Sequence, residues 1–169
     1  MTGTAGRPGK IVALLLVPAA VAIAGVLLVM RLQLEPPTVP VYALVGDGRV
    51  ASVRRGARFE LTLAPASPAA GAIGARAFLV RGDEVRPWTA PYSVGLDGTV
   101  TIAGSAAELF EGVPAGEWEV AVAVGRPETL PTAPRDILRA RQQQLQAGAD
   151  AGSADAAWRL VRQRITVDG

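Results

Sequence analysis

Three pairs of carboxylates have the spacing for acid–base chemistry: Asp83/Glu84, Glu108/Glu111 and Glu117/Glu119. Two carboxyls held close together can divide into a proton donor and a proton acceptor, which is what such a pair would offer a reaction. Each pair, however, falls beside a turn, at a strand end or on the outward side of an alternating segment, where solvated acids are ordinary. Trp88 and Tyr92 are the other candidates, two rings that could form a ligand platform but whose commoner use is hydrophobic packing in a core or at an edge. The chain has no histidine and no cysteine, which removes the commonest general base, the commonest metal ligands, thiol nucleophiles and disulfides together. A G-x-S-x-G elbow, a P-loop, a G-x-G-x-x-G turn between strand and helix, and an EF-hand loop are all missing. The residues therefore predict no enzyme, no catalytic site, no bound metal and no cofactor, and they leave any binding site unlocated.

The elements that position these residues are organised around residues 11–30, IVALLLVPAAVAIAGVLLVM, which hold no charged or hydrogen-bonding side chain. As an α-helix rising about 1.5 Å per residue, this run is about 30 Å long, the thickness of a bilayer's hydrocarbon core. A soluble chain of 169 residues rarely buries a helix that is apolar on every side, so a single transmembrane helix is expected. A cleavable signal peptide is the rival: Ala22-Ile23-Ala24 is an A-x-A cleavage pattern behind an apolar stretch and the basic Arg7 and Lys10. Residues 25–30, GVLLVM, carry the apolar run past that cut, which favours a retained anchor and leaves cleavage after Ala24 as the open alternative. Pro18 predicts a kink that membrane helices tolerate. The small-xxx-small spacing of Ala20 and Ala24 arises easily in an alanine-rich run and is not taken as a dimer contact.

Arg7 and Lys10 precede the span, against Arg31 alone, with Glu35 behind it, on the far side. The positive-inside rule then makes residues 1–10 a cytoplasmic tail and puts the bulk outside the cell (inner) membrane. Residues 31–40, RLQLEPPTVP, form a proline-rich stalk that follows an extended path. The calculated pI of 9.7 invites a nucleic-acid reading that the distribution of charge refuses. Setting Arg7 and Lys10 aside leaves 15 basic residues against all 15 acids in residues 31–169, a net charge of zero and no electrostatic footprint for phosphates.

From residue 41 the pattern changes to alternation. Residues 41–45 (VYALV) read as a strand closed by Gly46-Asp47-Gly48, with residues 49–53 as its return strand. In residues 58–63 (RFELTL), Phe59, Leu61 and Leu63 share one face and Glu60 and Thr62 the other. Residues 64–74 are a loop, and residues 75–81 (ARAFLVR) a strand ended by Gly82-Asp83. Trp88, Pro91 and Tyr92 mark an edge crossing, because proline is kept out of central strands. Asp97-Gly98, between Val94/Leu96 and Val100/Ile102, signals a hairpin.

Residues 109–124 are the most recognisable stretch. Pro114 to Gly116 is turn chemistry, after which Trp118, Val120, Val122 and Val124 alternate onto one face. The opposite face runs Glu117, Glu119, Ala121, Ala123, and its far half is small and uncharged, as a covered face would be. This F-x-G-V-P-A-G-x-W-x-V-x-V pattern resembles the last strands of carboxypeptidase-regulatory-like and transthyretin-like β-sandwich domains, a likeness that bears on fold and not on function. A second resemblance runs over residues 55–131, where RGARFELTL, ARAFLVRGDEVRPW and WEVAVAVGRPETLP look like the extracytoplasmic part of uncharacterised bacterial membrane-anchored proteins related to anti-sigma factors. Such a factor holds its sigma factor with a cytoplasmic domain. Ten cytoplasmic residues without His or Cys cannot supply one, so sigma binding is not implied.

After Gly125, Thr132 reads as a helix N-cap, with Pro134 and Asp136 in the first turn. Ile137, Leu138, Ala140, Leu145 and Ala147 then form a stripe opposite Arg139, Arg141, Gln142, Gln143 and Gln146. Residues 149–152 break the chain, Ser153 would cap a short helix through Trp158, and residues 161–167 alternate as a final strand. The expectation is a mainly β chain: a single N-terminal transmembrane helix, then an Ig-like/transthyretin-like antiparallel β-sandwich over residues 41–125. The helix and final strand of residues 126–169 are expected to fold back, the helix on the Ala121/Ala123 face and the strand on a sheet edge. The function this predicts is a membrane-anchored extracytoplasmic interaction or regulatory module in envelope signalling or assembly, held in the lipid bilayer by residues 11–30 and meeting a protein partner in or at the membrane. The alternative is a non-catalytic sandwich that binds a carbohydrate or small ligand.

Overall fold

The computed structural model describes residues 39–46, 51–54, 56–147 and 157–168. The expected membrane span, its basic flank, all but the end of the stalk and the cap at Ser153 lie outside the described residues. Among the described residues, no helix is long and apolar enough to cross a membrane. Residues Thr38–Gly169 form one compact unit.

In chain order its elements are β1 (Tyr42–Leu44), β2 (Ala51–Val53), β3 (Arg58–Pro65), β4 (Gly74–Arg81), β5 (Glu84–Trp88), β6 (Tyr92–Val94), β7 (Val100–Ser105), the short helix α1 (Ala106–Leu109), β8 (Gly116–Gly125), a 3-10 turn (Pro127–Thr129), α2 (Pro134–Ala147) and β9 (Trp158–Val167). They make a four-stranded sheet in the order β1-β3-β7-β6 and a five-stranded sheet in the order β2-β9-β8-β4-β5. The two sheets face each other across one core, so the chain is mainly β and sandwich-like.

Alternation decides which side chains enter that core. Phe59, Leu61 and Leu63 of β3 are buried while Glu60 is exposed, and Trp118, Val120, Val122 and Val124 of β8 are all buried on the inner face. Each of those four β8 side chains contributes about 1.5–3 kcal/mol when fully buried. Near one end of the sandwich, Trp88 stacks on Phe110 with ring centroids 5.2 Å apart, and Phe59 meets both rings edge-on. The Trp88 indole N–H donates to the Leu109 carbonyl at 2.6 Å, which gives the one polar atom of that ring a partner. The helix α1 is thereby fixed as a plug on the sandwich.

The outer face of the five-stranded sheet is covered in part by α2. Ile137, fully buried, sits in a second apolar cluster with Phe78, Val80, Ala121, Ala123 and Leu160, so the small outward half of β8 does receive a helix. The helix presents a different stripe from the one its hydropathy predicts. Arg141 and Gln144 face the sheet with Ile137 and Ala140: Arg141 donates to the Gly82 carbonyl at 3.0 Å, and the Gln144 amide donates to the Leu160 carbonyl at 2.8 Å. Leu145 is left on the flank at 66% exposure. Polar side chains with long stems hold this face because their heads find partners at its rim. The helix also starts later than Thr132 suggests: the chain turns at Ala133, whose carbonyl accepts from the Asp136 N–H at 3.0 Å, and proline occupies the first helical position.

Two strand expectations are corrected. Residues 51–53 do not return against β1, which pairs with β3; they pair in parallel with β9, Ala51 to Ile165 and Val53 to Val167, in the other sheet. The sandwich is therefore not wholly antiparallel. The final strand joins β8 along all ten residues, covering what would otherwise be its edge, and takes β2 on its other side. Trp158 belongs to that strand and to no helix. The edge crossing at residues 89–91 does occur: it carries the chain from β5, the edge of one sheet and the holder of Pro87, to β6, the edge of the other. The Asp97-Gly98 hairpin also forms, with a longer loop than two residues, because pairing stops at Val94 and Val100.

Candidate functional site

The acid pairs are placed as the sequence suggested and do not assemble a site. Asp83 is exposed in the β4–β5 turn. Its neighbour Glu84 is gripped by Arg86 and, at 3.3 Å, by Arg81; hydrogen bonding from Arg86 in the first place holds its carboxyl below the usual range. Glu108 and Glu111 are exposed on α1 and the turn after it. Glu117 and Glu119 share the outer side of β8, but Glu117 stands in solvent and Glu119 is taken by arginines. The ring platform does not form: Trp88 is buried in the core, whereas Tyr92 is 48% exposed at the edge of the other sheet. Packing of the larger indole against Phe59 and Phe110 has prevailed over pairing with Tyr92.

A groove of about 690 Å³ opens where α2 stops covering the five-stranded sheet. Its floor is the outer side of β8 and β9 near Glu119 and Arg164, one wall is Arg141 of α2, and the far lip is the β4–β5 turn at Gly82. The ladder sets these charges against one another. Glu119 lies directly opposite Arg164 and next to the pair Ala121–Arg162, so β8 offers acids at positions two apart and β9 offers arginines at positions two apart.

Glu119 is the fixed point of the groove. Only 12% of its side chain is exposed, with the Arg141 Nε 3.3 Å from one oxygen and the Arg162 Nη1 3.7 Å from the other. The Arg141 contact is close but poorly aligned: neither that nitrogen nor that oxygen completes a directed hydrogen bond with a protein atom. The interaction is an ion pair that holds α2 to the sheet and leaves hydrogen-bonding capacity at the base of the groove. At the same end of the sheet but on its other face, the Arg81 guanidinium lies 4.3 Å above the Trp118 ring and that of Arg86 lies 5.6 Å away. The ring is itself fixed, its N–H donating to the Pro114 carbonyl at 2.8 Å. Stacking on an aromatic face keeps a guanidinium planar and presented, which suits it to a carboxylate.

The groove is not legible in the sequence because hydropathy puts Arg141 on the solvent side of its helix and gives Arg162 and Arg164 only as the polar face of a strand with no assigned neighbour. The signal that could have found it was the matched alternation of Glu117/Glu119 with Arg162/Arg164, which only the β8–β9 register turns into one surface. Among the described residues, no group of three or more histidine, cysteine, aspartate or glutamate side chains is placed to hold a metal ion. No protein-family model matches this chain, and no curated protein sequence matches it significantly.

Proposed function

We propose that the protein is a membrane-anchored extracytoplasmic interaction or regulatory module, with residues 11–30 in the inner membrane and the Ig-like/transthyretin-like sandwich outside it. It serves envelope signalling or assembly by receiving an acidic segment of a protein partner in the groove beside α2. The observation that carries this reading is the arginine-lined groove itself: Arg164 lines a floor already organised by the Arg141–Glu119–Arg162 cluster, and Arg81 belongs to its lip. Guanidinium groups bind carboxylates through paired N–H donors, and arginine and tryptophan are the residues on which protein interfaces concentrate their binding energy. The carbohydrate alternative has less support, since every described aromatic ring other than Tyr92 is buried or half-buried and so cannot serve as an exposed stacking platform. The sequence likeness to extracytoplasmic parts of anti-sigma-related proteins belongs to the same reading and carries no sigma binding with it.

A photo-crosslinking residue placed at Arg164 in the full chain, expressed in its native membrane, tests the groove. The reading expects a discrete protein adduct at Arg164 that is absent when the crosslinker is placed at exposed Arg58 on the other sheet, and that is lost when Arg81 is replaced by glutamate. Equal adducts at both positions, or an adduct insensitive to Arg81→Glu, would contradict it.

A further inference from the structure

The end of the sandwich where the chain enters carries an exposed apolar hairpin that nothing so far explains. At this end lie Val39 and Val41, the loop of residues 66–73, and the β6–β7 hairpin tip, joined by specific contacts. The Tyr42 hydroxyl donates to the Gly98 carbonyl at 3.0 Å, and the Ala69 N–H donates to the Asp97 carbonyl at 3.2 Å. Gly98 has φ +91°, and a Cβ there would stand 2.6 Å from that of Ala69, so the two loops are in close contact. Within the tip, the Asp97 carboxylate accepts from the Thr99 N–H at 2.9 Å and the Thr99 hydroxyl at 2.8 Å. These bonds hold Leu96 at the apex, fully exposed.

Leu96 is not alone. Tyr92 and Val94 precede it at alternate positions along β6, both exposed, and Val41 is exposed at the start of β1. Residues 65–73, PASPAAGAI, contain no charged side chain, and neither do residues 38–45. Charges at this end are few: Asp97 within the tip, its carboxylate held by Thr99, and Arg126, Glu128 and the buried Arg159 of the five-stranded half. The described chain begins here at Val39, with eight residues between it and the end of the apolar run of residues 11–30. That connection reaches at most about 32 Å. On the reading that residues 11–30 span the bilayer, this tether keeps the apolar end of the domain within that distance of the lipid at all times, a high effective concentration for a weak contact.

We infer that the β6–β7 hairpin is a second membrane contact: Leu96 enters the boundary between headgroups and acyl chains, Val94 and Val41 rest on it, and Tyr92 lies at headgroup level. Aromatic side chains with a polar tip favour that level, and apolar side chains go deeper. The contact turns the groove at Gly82 and Gly116, which lies at the other end of the strands, away from the lipid and toward a partner.

The chain lacks cysteine, so single labels report cleanly. The full protein is assembled one copy per nanodisc in zwitterionic lipid, with an environment-sensitive fluorophore on Leu96→Cys, on Ala115→Cys at the far end, or on Val21→Cys in the apolar run, and nitroxide-bearing lipids are added as quenchers. The inference expects roughly twofold or greater quenching at 96, strong quenching at 21 and none at 115. With the label moved to Ser93, Leu96→Asp should abolish the quenching there. Quenching at 21 without quenching at 96 overturns the inference and leaves the anchor standing. A label at 96 that is shielded from iodide yet untouched by nitroxide lipid also overturns it, since a protein surface then covers the tip. An unquenched label at 21 removes the anchor on which the inference rests, and the inference with it.

Discussion

Glu119 joins two pieces of chain that are distant in sequence, taking Arg141 from α2 and Arg162 from β9. Because these side chains are mostly buried, removing a partner leaves charge in a place where water reaches it poorly. Arg141→Ala is expected to destabilise the domain by about 1–3 kcal/mol, measured by urea unfolding, and to lower the midpoint less in high salt, where the wild-type pair is already weakened. A neutral outcome at both salt concentrations would make the cluster incidental. At the opposite end, Tyr42 is pushed above the ordinary phenol value of 10.0 by burial first and by the charge of Asp97 second. A phenol whose folded value is raised contributes stability below its unfolded value, and that stability is lost as pH rises through the raised one. In Tyr92→Phe, where Tyr42 is the remaining tyrosine, an alkaline absorbance titration should place its midpoint above 10.0; a midpoint at or below it would show that the phenol is not buried beside Asp97. At this scale the sequence was legible where period two decided matters, as at Phe59, Leu61 and Trp118. It was misleading at Arg141 and Leu145, because hydropathy cannot tell that an arginine will face a sheet when its head meets Glu119 and a carbonyl at the rim.

Between α2 and the sheet, Ile137 bears most of the apolar contact. Ile137→Ala should cost about 2–5 kcal/mol by chemical denaturation, and Leu145→Ala, on the exposed flank, should change stability little. Equal losses would mean that the helix is rotated relative to the position described. The final strand has larger consequences. β9 lies between β8 and β2 and supplies buried Ile165 and Val167 to the main core, so a chain ending at Gly125 would lose core volume and expose a ten-residue edge on β8. Residues 39–125 are therefore expected to aggregate or to show no cooperative melt by circular dichroism, whereas a melt at the temperature of residues 39–169 would contradict the central place of β9. The alternation of residues 161–167 was visible in sequence. Its neighbour β2 was not, because a three-residue strand pairing in parallel across more than a hundred residues leaves no local pattern.

For the whole molecule, the two ends of the sandwich differ in kind: a hairpin end with exposed apolar side chains where the chain enters, and an arginine-lined groove at the other. On the proposed reading this polarity sets an orientation, with one end addressed to lipid and the other to solvent. Residues 11–30 are the plainest signal in the sequence, since length and uniform apolarity predict a span without tertiary context, and they lie outside the described residues. The groove was the least legible, since its charges come together only through the β8–β9 register and the docking of α2. The claim that everything else depends on is that the sandwich stands outside a membrane held by an uncleaved N-terminal anchor, and cysteine labelling in intact spheroplasts tests it most directly. A membrane-impermeant maleimide should label Ala115→Cys in sealed spheroplasts and Thr4→Cys only after permeabilisation, with both positions on one polypeptide of full-length mass. Protection of Ala115→Cys until lysis, or a mature chain that begins at Gly25 and washes free of the membrane, would contradict the account.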